Sequence, residues 1–301
     1  MRTGVAVGQD RPRRTAARRR KLAVLALAWL ICGAASAEGA LAGGARAGYG
    51  YRFGVFPYLP ALTIDRIFGP VAASFTAALG RPVYLKTKPT FEAFASELER
   101  ATYDILLVQP FFYVEAADRH GYLPLARVEG HLTAVALVRS ERTWSTWADL
   151  AGKTVATPPA LAAVSELTRL ALWDAGLVPG IDTTLQPYRT KVSCLRAVLV
   201  DAVDACVLPR FVLPQLPRIS DGRLRIMAES RPLKHLAFAA HPRVPAAHRA
   251  KLRALILAWP YTDEGRAILG AGPWPGFVAA RDADYDDVRR FRARAAHLAE
   301  R

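Results

Sequence analysis

The apolar run TVAT ends at Thr157, and Pro158-Pro159 then leads into the helical pattern of ALAAVSELTRLALWDAG. A strand that hands its chain to a helix leaves backbone N–H groups free at the helix N-terminus, and these favour an anion. Similar junctions recur along the chain. Thr90 precedes FEAFASELERA as a candidate N-cap, and Gln109 ends YDILLV with an amide able to donate and accept. Lys191 opens KVSCLRAVLVDA after Thr190, and Arg210 follows VDACVLP. Lys86, Lys88 and Arg189 lie at comparable positions, with Phe56, Tyr58, Phe91, Phe111 and Phe112 nearby. Such residues suit the holding of a small acidic molecule against aromatic rings. Each also has a structural role open to it: a cap for Thr90, a satisfied amide for Gln109, core packing for the rings and solvation for the cations.

The same residue types argue against catalysis. No Ser-His-Asp order and no Cys-His pair stands out, and Asp104 and Asp204 precede their strands, which puts them at the opposite end. His131 and His235 are isolated, and no Cys/His cluster has metal-ligand spacing. The expectation is a chain with no catalytic residues, no metal and no cofactor, hence not an enzyme.

The elements that must position these residues follow from periodicity. YRFGVFPYL reads as a strand ending at Pro57. A helix follows over TIDRIFGPVAASFTAALG, with Ile64, Ile67, Phe68, Val71, Phe75 and Leu79 at helical spacing and Gly80 as its stop. RPVYLKTK is a second strand, and YDILLVQP a third, apolar enough to be buried on both faces. With the helices FEAFASELERA and FFYVEAADRHG, the order is βαβαβα, which implies a parallel sheet covered by helices. A second block runs LTAVALVRS, TWADLAGK, TVAT, a helix opened by Pro158-Pro159, TLQPYRT, KVSCLRAVLVDA and VDACVLP. LRIMAES and HLAFAAHP are later strands, and PAAHRAKLRALILAWPYTDEGRAILG supplies C-terminal helices. Two α/β lobes imply a cleft, with ligand outside the carboxyl ends of the strands.

The 301 residues carry a formal charge of +15, which at first suggests a nucleic-acid binder. Nearly half of that excess lies in residues 1–37, where eight Arg and Lys face a single acid, Asp10. The remainder is dispersed, with no basic block interleaved with aromatics, so no nucleic-acid partner is expected. RPRRTAARRRK, LAVLALAWLI and Ala35-Ser36-Ala37 have the order of a cleaved signal peptide, with an apolar run short of the ~20 residues that span a bilayer. A signal anchor is the alternative. Arg19-Arg20 leaves general and twin-arginine export both open. Cleavage after Ala37 places the mature chain in the periplasm and leaves two of the three cysteines, Cys194 and Cys206. In an oxidising compartment this pair is expected to form a disulfide, the alternative being two buried thiols.

FGVFPYLPALTIDRIFGPVAASFTAALGRPVYLKTKPTFEAF, YDILLVQPFFYVEA, TWADLAGKTVAT, VSCLRAVLVDAVDACVL and AESRPLKHLAFAAHP together resemble the phosphate/phosphite/phosphonate periplasmic binding proteins of ABC transporters, over Tyr51 to Tyr285. The resemblance implies an α/β, two-lobed type II periplasmic binding protein, each lobe a mostly parallel sheet flanked by helices, with a two-strand hinge. Residues 1–37 are then the signal peptide and 38–48 a leader; residues 49–130 plus 241–301 form lobe I, and 131–240 lobe II. The family's ligand motifs are altered. Its Ser-Thr-Ser-Gly run falls at Ala160-Leu161-Ala162-Ala163-Val164, its tyrosines at Phe91 and near Val108, its histidine at Thr190-Lys191, and its acids at Phe211 and Leu236. The resemblance therefore implies the fold and a trapped ligand, an oxyanion or organic acid, without clearly implying a phosphonate.

The expected ligand-binding residues are Tyr58, Thr90, Phe91, Gln109, Phe111, Thr157, Lys191 and Arg210. The expected partners are a small-molecule ligand and an inner-membrane ABC permease or membrane sensor protein, with the chain itself a monomer.

Overall fold

The computed structural model describes residues 50–215, 222–272 and 274–299; the expected signal peptide and leader lie outside the described residues. The chain forms β1 (Tyr51–Val55), α1 (Ala61–Leu79), β2 (Val83–Lys86), α2 (Phe91–Glu99), β3 (Ile105–Val108), α3 (Pro110–His120), β4 (Leu123–Val128) and β5 (His131–Leu132). It continues with β6 (Ala134–Arg139), β7 (Thr154–Thr157), α4 (Ala163–Asp174), β8 (Thr184–Pro187), α5 (Lys191–Leu199), β9 (Ala205–Pro209), β10 (Leu224–Glu229) and β11 (Leu233–Lys234). The last described elements are β12 (Ala237–Ala240), α6 (Ala246–Ala258), α7 (Asp263–Ala271), β13 (Phe277–Ala279) and α8 (Asp286–Ala299).

The strands form two main sheets, ordered β13-β4-β12-β3-β1-β2 and β10-β6-β9-β7-β8. The parallel portions are those the βαβ order implies: β1 lies between β2 and β3, and β7 between β8 and β9. The other strands make each sheet mixed rather than mostly parallel. β12 pairs antiparallel with β3 and β4, β13 with β4, and β6 with β9 and β10. For β6 and β12 the physical reason is connectivity: each enters its sheet from the other lobe without a crossover helix and so runs opposite to the parallel strand it joins. The chain crosses outward through β5 and back through β11, which pair antiparallel, Leu233 with Leu132 and Lys234 with His131. This is a two-strand hinge, and the whole is a two-lobed type II periplasmic binding fold. Ala237–Ala240, placed by the sequence boundaries with residues 131–240, hydrogen-bonds into the first sheet.

The helices start and stop where local chemistry allows. Thr90 caps α2 by accepting from Ala93 N, Thr190 caps α5 by accepting from Ser193 N, and Gly80 and Gly121 end α1 and α3 in the left-handed region. One start differs from expectation. Pro158-Pro159 does not form the first turn of α4, which begins at Ala163. Residues 158–162 make a separate turn, closed by Ala162 N to Pro159 O at 2.9 Å and anchored by Ser165 Oγ to Pro158 O at 2.9 Å.

The first lobe packs around aromatic rings, with Phe53, Phe75, Phe238, Trp259 and Phe277 linked by ring contacts and buried. Each such side chain contributes roughly 1.5–3 kcal/mol by burial. Cys194 and Cys206 form a disulfide with a Cα–Cα distance of 5.6 Å, fixing α5 to β9 in the second lobe. Asp104 and Asp204 sit at the amino ends of β3 and β9, where they accept from Arg52 N and Thr154 N.

Candidate functional site

The carboxyl ends of five of the six parallel strands, β1, β3, β7, β8 and β9, meet around one cavity of about 160 Å³. From the first lobe come Phe56, Pro57 and Tyr58 after β1, Phe91 at the start of α2 and Gln109 after β3. From the second lobe come Thr157 to Pro159 after β7, the first residues of α4, Tyr188 to Lys191 between β8 and α5, and Leu208 and Pro209 at the end of β9. Leu132 and Leu236, next to the hinge strands, complete the wall with Phe211.

Gln109 occupies the centre of this arrangement. It is buried, its Oε1 accepts from Phe111 N at 3.0 Å, and its Nε2 donates to Leu161 O at 3.2 Å. The first bond caps α3; the second reaches the turn before α4 in the opposite lobe. Tyr58 stacks on Phe56 with centroids 4.7 Å apart, and Phe91 meets Phe56 edge-on at 5.9 Å. The Tyr58 hydroxyl is buried without a hydrogen-bond partner among the described residues, and burial pushes its pKa far up. It is therefore a neutral O–H group in need of a partner.

Lys191, half-buried at the first position of α5, has its pKa lowered by desolvation. Exposed Arg189 adds a second cation to the lining. α4 has no side-chain cap, and the first N–H groups of an uncapped helix have no intrahelical acceptor. The lining thus combines cations, hydroxyls and helix N-termini with rings and aliphatic side chains. Among the described lining residues none is Asp, Glu or His.

Five of the eight expected residues line the cavity: Tyr58, Phe91, Gln109, Thr157 and Lys191. Three do not. Thr90 is exposed and its hydroxyl is engaged in capping α2. Phe111, on the first turn of α3, faces the C-terminal helix and packs edge-on against Phe291 at 5.3 Å. Arg210 turns away to pair with Glu229 of β10, while its N–H donates to Thr133 O. Lys88 likewise bonds to Glu97, and Phe112 packs between Phe91 and Phe94. Sequence reasoning missed Tyr188, Cys194, Leu132 and Leu208 as lining residues. Tyr188 had a usable signal, since it follows a strand and precedes a capped helix; the aliphatic residues and the cysteine look like core positions.

His235, beside the cavity, packs at a tilt against Phe211 with centroids 5.2 Å apart, accepts from Leu236 N at 2.8 Å, and has its pKa lowered to about 4 by burial and by nearby Arg127 and His131. Among the described residues no group of three or more His, Cys, Asp or Glu could hold a metal ion, and no helix is long and apolar enough to cross a membrane.

The model of the phosphonate ABC-transporter periplasmic substrate-binding family matches residues 53–285. No curated protein sequence matches the chain. Among solved structures, PhnD1 from Prochlorococcus marinus, in complex with methylphosphonate, is 13% identical with a TM-score of 0.72, over 82% of this chain and 98% of that one. XAC2383 from Xanthomonas citri, bound to ATP, is 14% identical with a TM-score of 0.71, over 83% and 98%. A binding-protein component of an ABC phosphonate transporter from Pseudomonas aeruginosa is 14% identical with a TM-score of 0.69, over 81% and 85%. At these identities the structural likeness speaks for the fold.

Proposed function

The chain belongs to the phosphonate family of ABC-transporter periplasmic substrate-binding proteins, and from that premise we propose that it traps one small acidic solute between its two lobes and delivers it to an inner-membrane permease. The observation that carries the reading is the cavity itself, which draws residues from strand ends of both lobes. A ligand there touches both lobes, and only such a ligand favours the closed state over the open one. Lys191, Arg189 and the α4 and α5 N-termini favour negative charge at the second-lobe side.

The family's phosphonate ligand is not carried over with the fold. The hydroxyl-bearing run that the resemblance implies at the start of α4 is here Ala162, Ala163 and Val164, all of which line the cavity. Phe211 and Leu236 stand at the positions of the implied acids and also line it. These replacements favour an organic acid over a compact oxyanion. The lobes divide at the β5–β11 pair, and the protein acts as an exported monomer.

The test is thermal unfolding of the purified protein against a panel of small anions. A ligand at ~100 times its dissociation constant should stabilise it by roughly 2.7 kcal/mol. The Lys191→Met variant should lose most of that gain. Stabilisation that Lys191→Met leaves intact, or turnover of the bound compound, overturns the reading.

A further inference from the structure

The lining carries an asymmetry sharper than net charge. Its polar groups are largely donors: the Lys191 ammonium, the Arg189 guanidinium, the unpartnered Tyr58 hydroxyl, and the free N–H groups at the start of α4 and α5. Its one carboxamide is held at both ends: Gln109 Oε1 accepts from Phe111 N and Gln109 Nε2 donates to Leu161 O, which leaves one further N–H and one further lone pair. Thr190 is likewise engaged with Ser193. With no Asp, Glu or His among the described lining residues, no carboxylate or imidazole stands ready to accept from a ligand's ammonium or acidic O–H group.

The rest of the lining is apolar. Phe56, Phe91, Leu132, Leu208, Phe211 and Leu236 belong to it, and a polar or highly hydrated body would lose solvation there without return. The space, about 160 Å³, also sets a size. An apolar protein cavity of about 150 Å³ accepts one benzene ring.

Resting on the solute-binding reading above, we propose that the ligand is a single-ring aromatic or similarly compact apolar monoanion whose head group only accepts hydrogen bonds, a carboxylate or a sulfonate. The head group lies against Lys191 and the Tyr58 hydroxyl, and the ring lies among Phe56, Phe91 and Phe211. A protonated phosphonate would bring an O–H donor with no side-chain carboxylate to receive it. A zwitterionic amino acid would bring an ammonium into a site that already holds two cations.

The test is calorimetric titration of the purified protein with benzoate, benzenesulfonate, phenylphosphonate, methylphosphonate, inorganic phosphate, benzylammonium and phenylalanine. Benzoate or benzenesulfonate should bind at least roughly tenfold more tightly than every other probe, the contrast between them naming the head group. Lys191→Met should weaken that binding roughly tenfold or more, and Tyr58→Phe several-fold, with both variants retaining the parent's far-ultraviolet circular dichroism. If methylphosphonate or phosphate binds best, the proposed class is overturned while the anion-trapping reading stands. If benzylammonium or phenylalanine binds best, both fall. Binding by none of the seven overturns the class.

Discussion

Gln109 Nε2 donates to Leu161 O at 3.2 Å, across the cleft between the lobes. The same carboxamide caps α3 through Phe111 N, so the residue that starts a first-lobe helix also holds the second lobe in place. Neither bond depends on ligand, which makes Gln109 a contributor to closure in its own right.

Replacing Gln109 by Ala removes both bonds. Loss of the cap costs about 1 kcal/mol, and loss of a buried hydrogen bond about the same again. Denaturant unfolding should show a decrease of about 2 kcal/mol, and small-angle scattering of the ligand-free variant a larger radius of gyration. An unchanged radius would mean that the cross-cleft bond does not hold the lobes together.

Tyr58→Phe should leave the free protein at least as stable as the parent. The hydroxyl it deletes is buried and unpartnered, and an unmade hydrogen bond of this kind costs about 1–3 kcal/mol. Ring stacking on Phe56 survives the change. Thermal unfolding with and without ligand separates the two effects: stability kept or raised, ligand-induced stabilisation diminished.

Stability should fall as the solution is acidified from about pH 6.5 to pH 4. His235 titrates near 4 in the folded chain against an ordinary value of 6.5, so over this window the unfolded state binds the extra proton. The loss reaches a few kcal/mol and levels off below pH 4. His241, also lowered to about 4 with desolvation as the main cause and Arg243 adding to it, acts in the same direction. Urea unfolding at a series of pH values should give a flatter profile for His235→Asn, which keeps a side-chain acceptor for Leu236 N without the titration.

The Cys194–Cys206 disulfide closes a separation of 12 residues, for which the chain-entropy relation gives about 3 kcal/mol. Cys194 also lines the cavity one turn after Lys191. The double variant Cys194→Ala/Cys206→Ala should lose about that stability, and its affinity for ligand should fall as α5 is released from β9. Equal affinity in parent and variant would confine the disulfide to a stabilising role.

Much of the scaffold was legible locally. The βαβ order, the cap at Thr90, the stop at Gly80, and the amide at Gln109 all depend on residues within a few positions of one another. The strand-end rule placed five of eight expected residues at the cavity. It failed for Phe111 and Arg210 because a position at a strand end does not specify rotation about the next element. Phe111 is claimed by Phe291, 180 residues later in the chain, and Arg210 by Glu229 on the neighbouring β10.

By itself, then, the sequence determined which segments form parallel βα units, where their helices begin apart from α4, and that the family's polar ligand residues are missing, since each is a matter of residue type and short spacing. Tertiary structure alone decided that β12 and β13 join the first sheet, that Gln109 bonds Leu161 across the cleft, and that Leu132, Leu208, Phe211 and Leu236 form much of the apolar lining. Those outcomes depend on pairings between distant segments. An apolar side chain has the same sequence pattern whether it faces a core or a cavity.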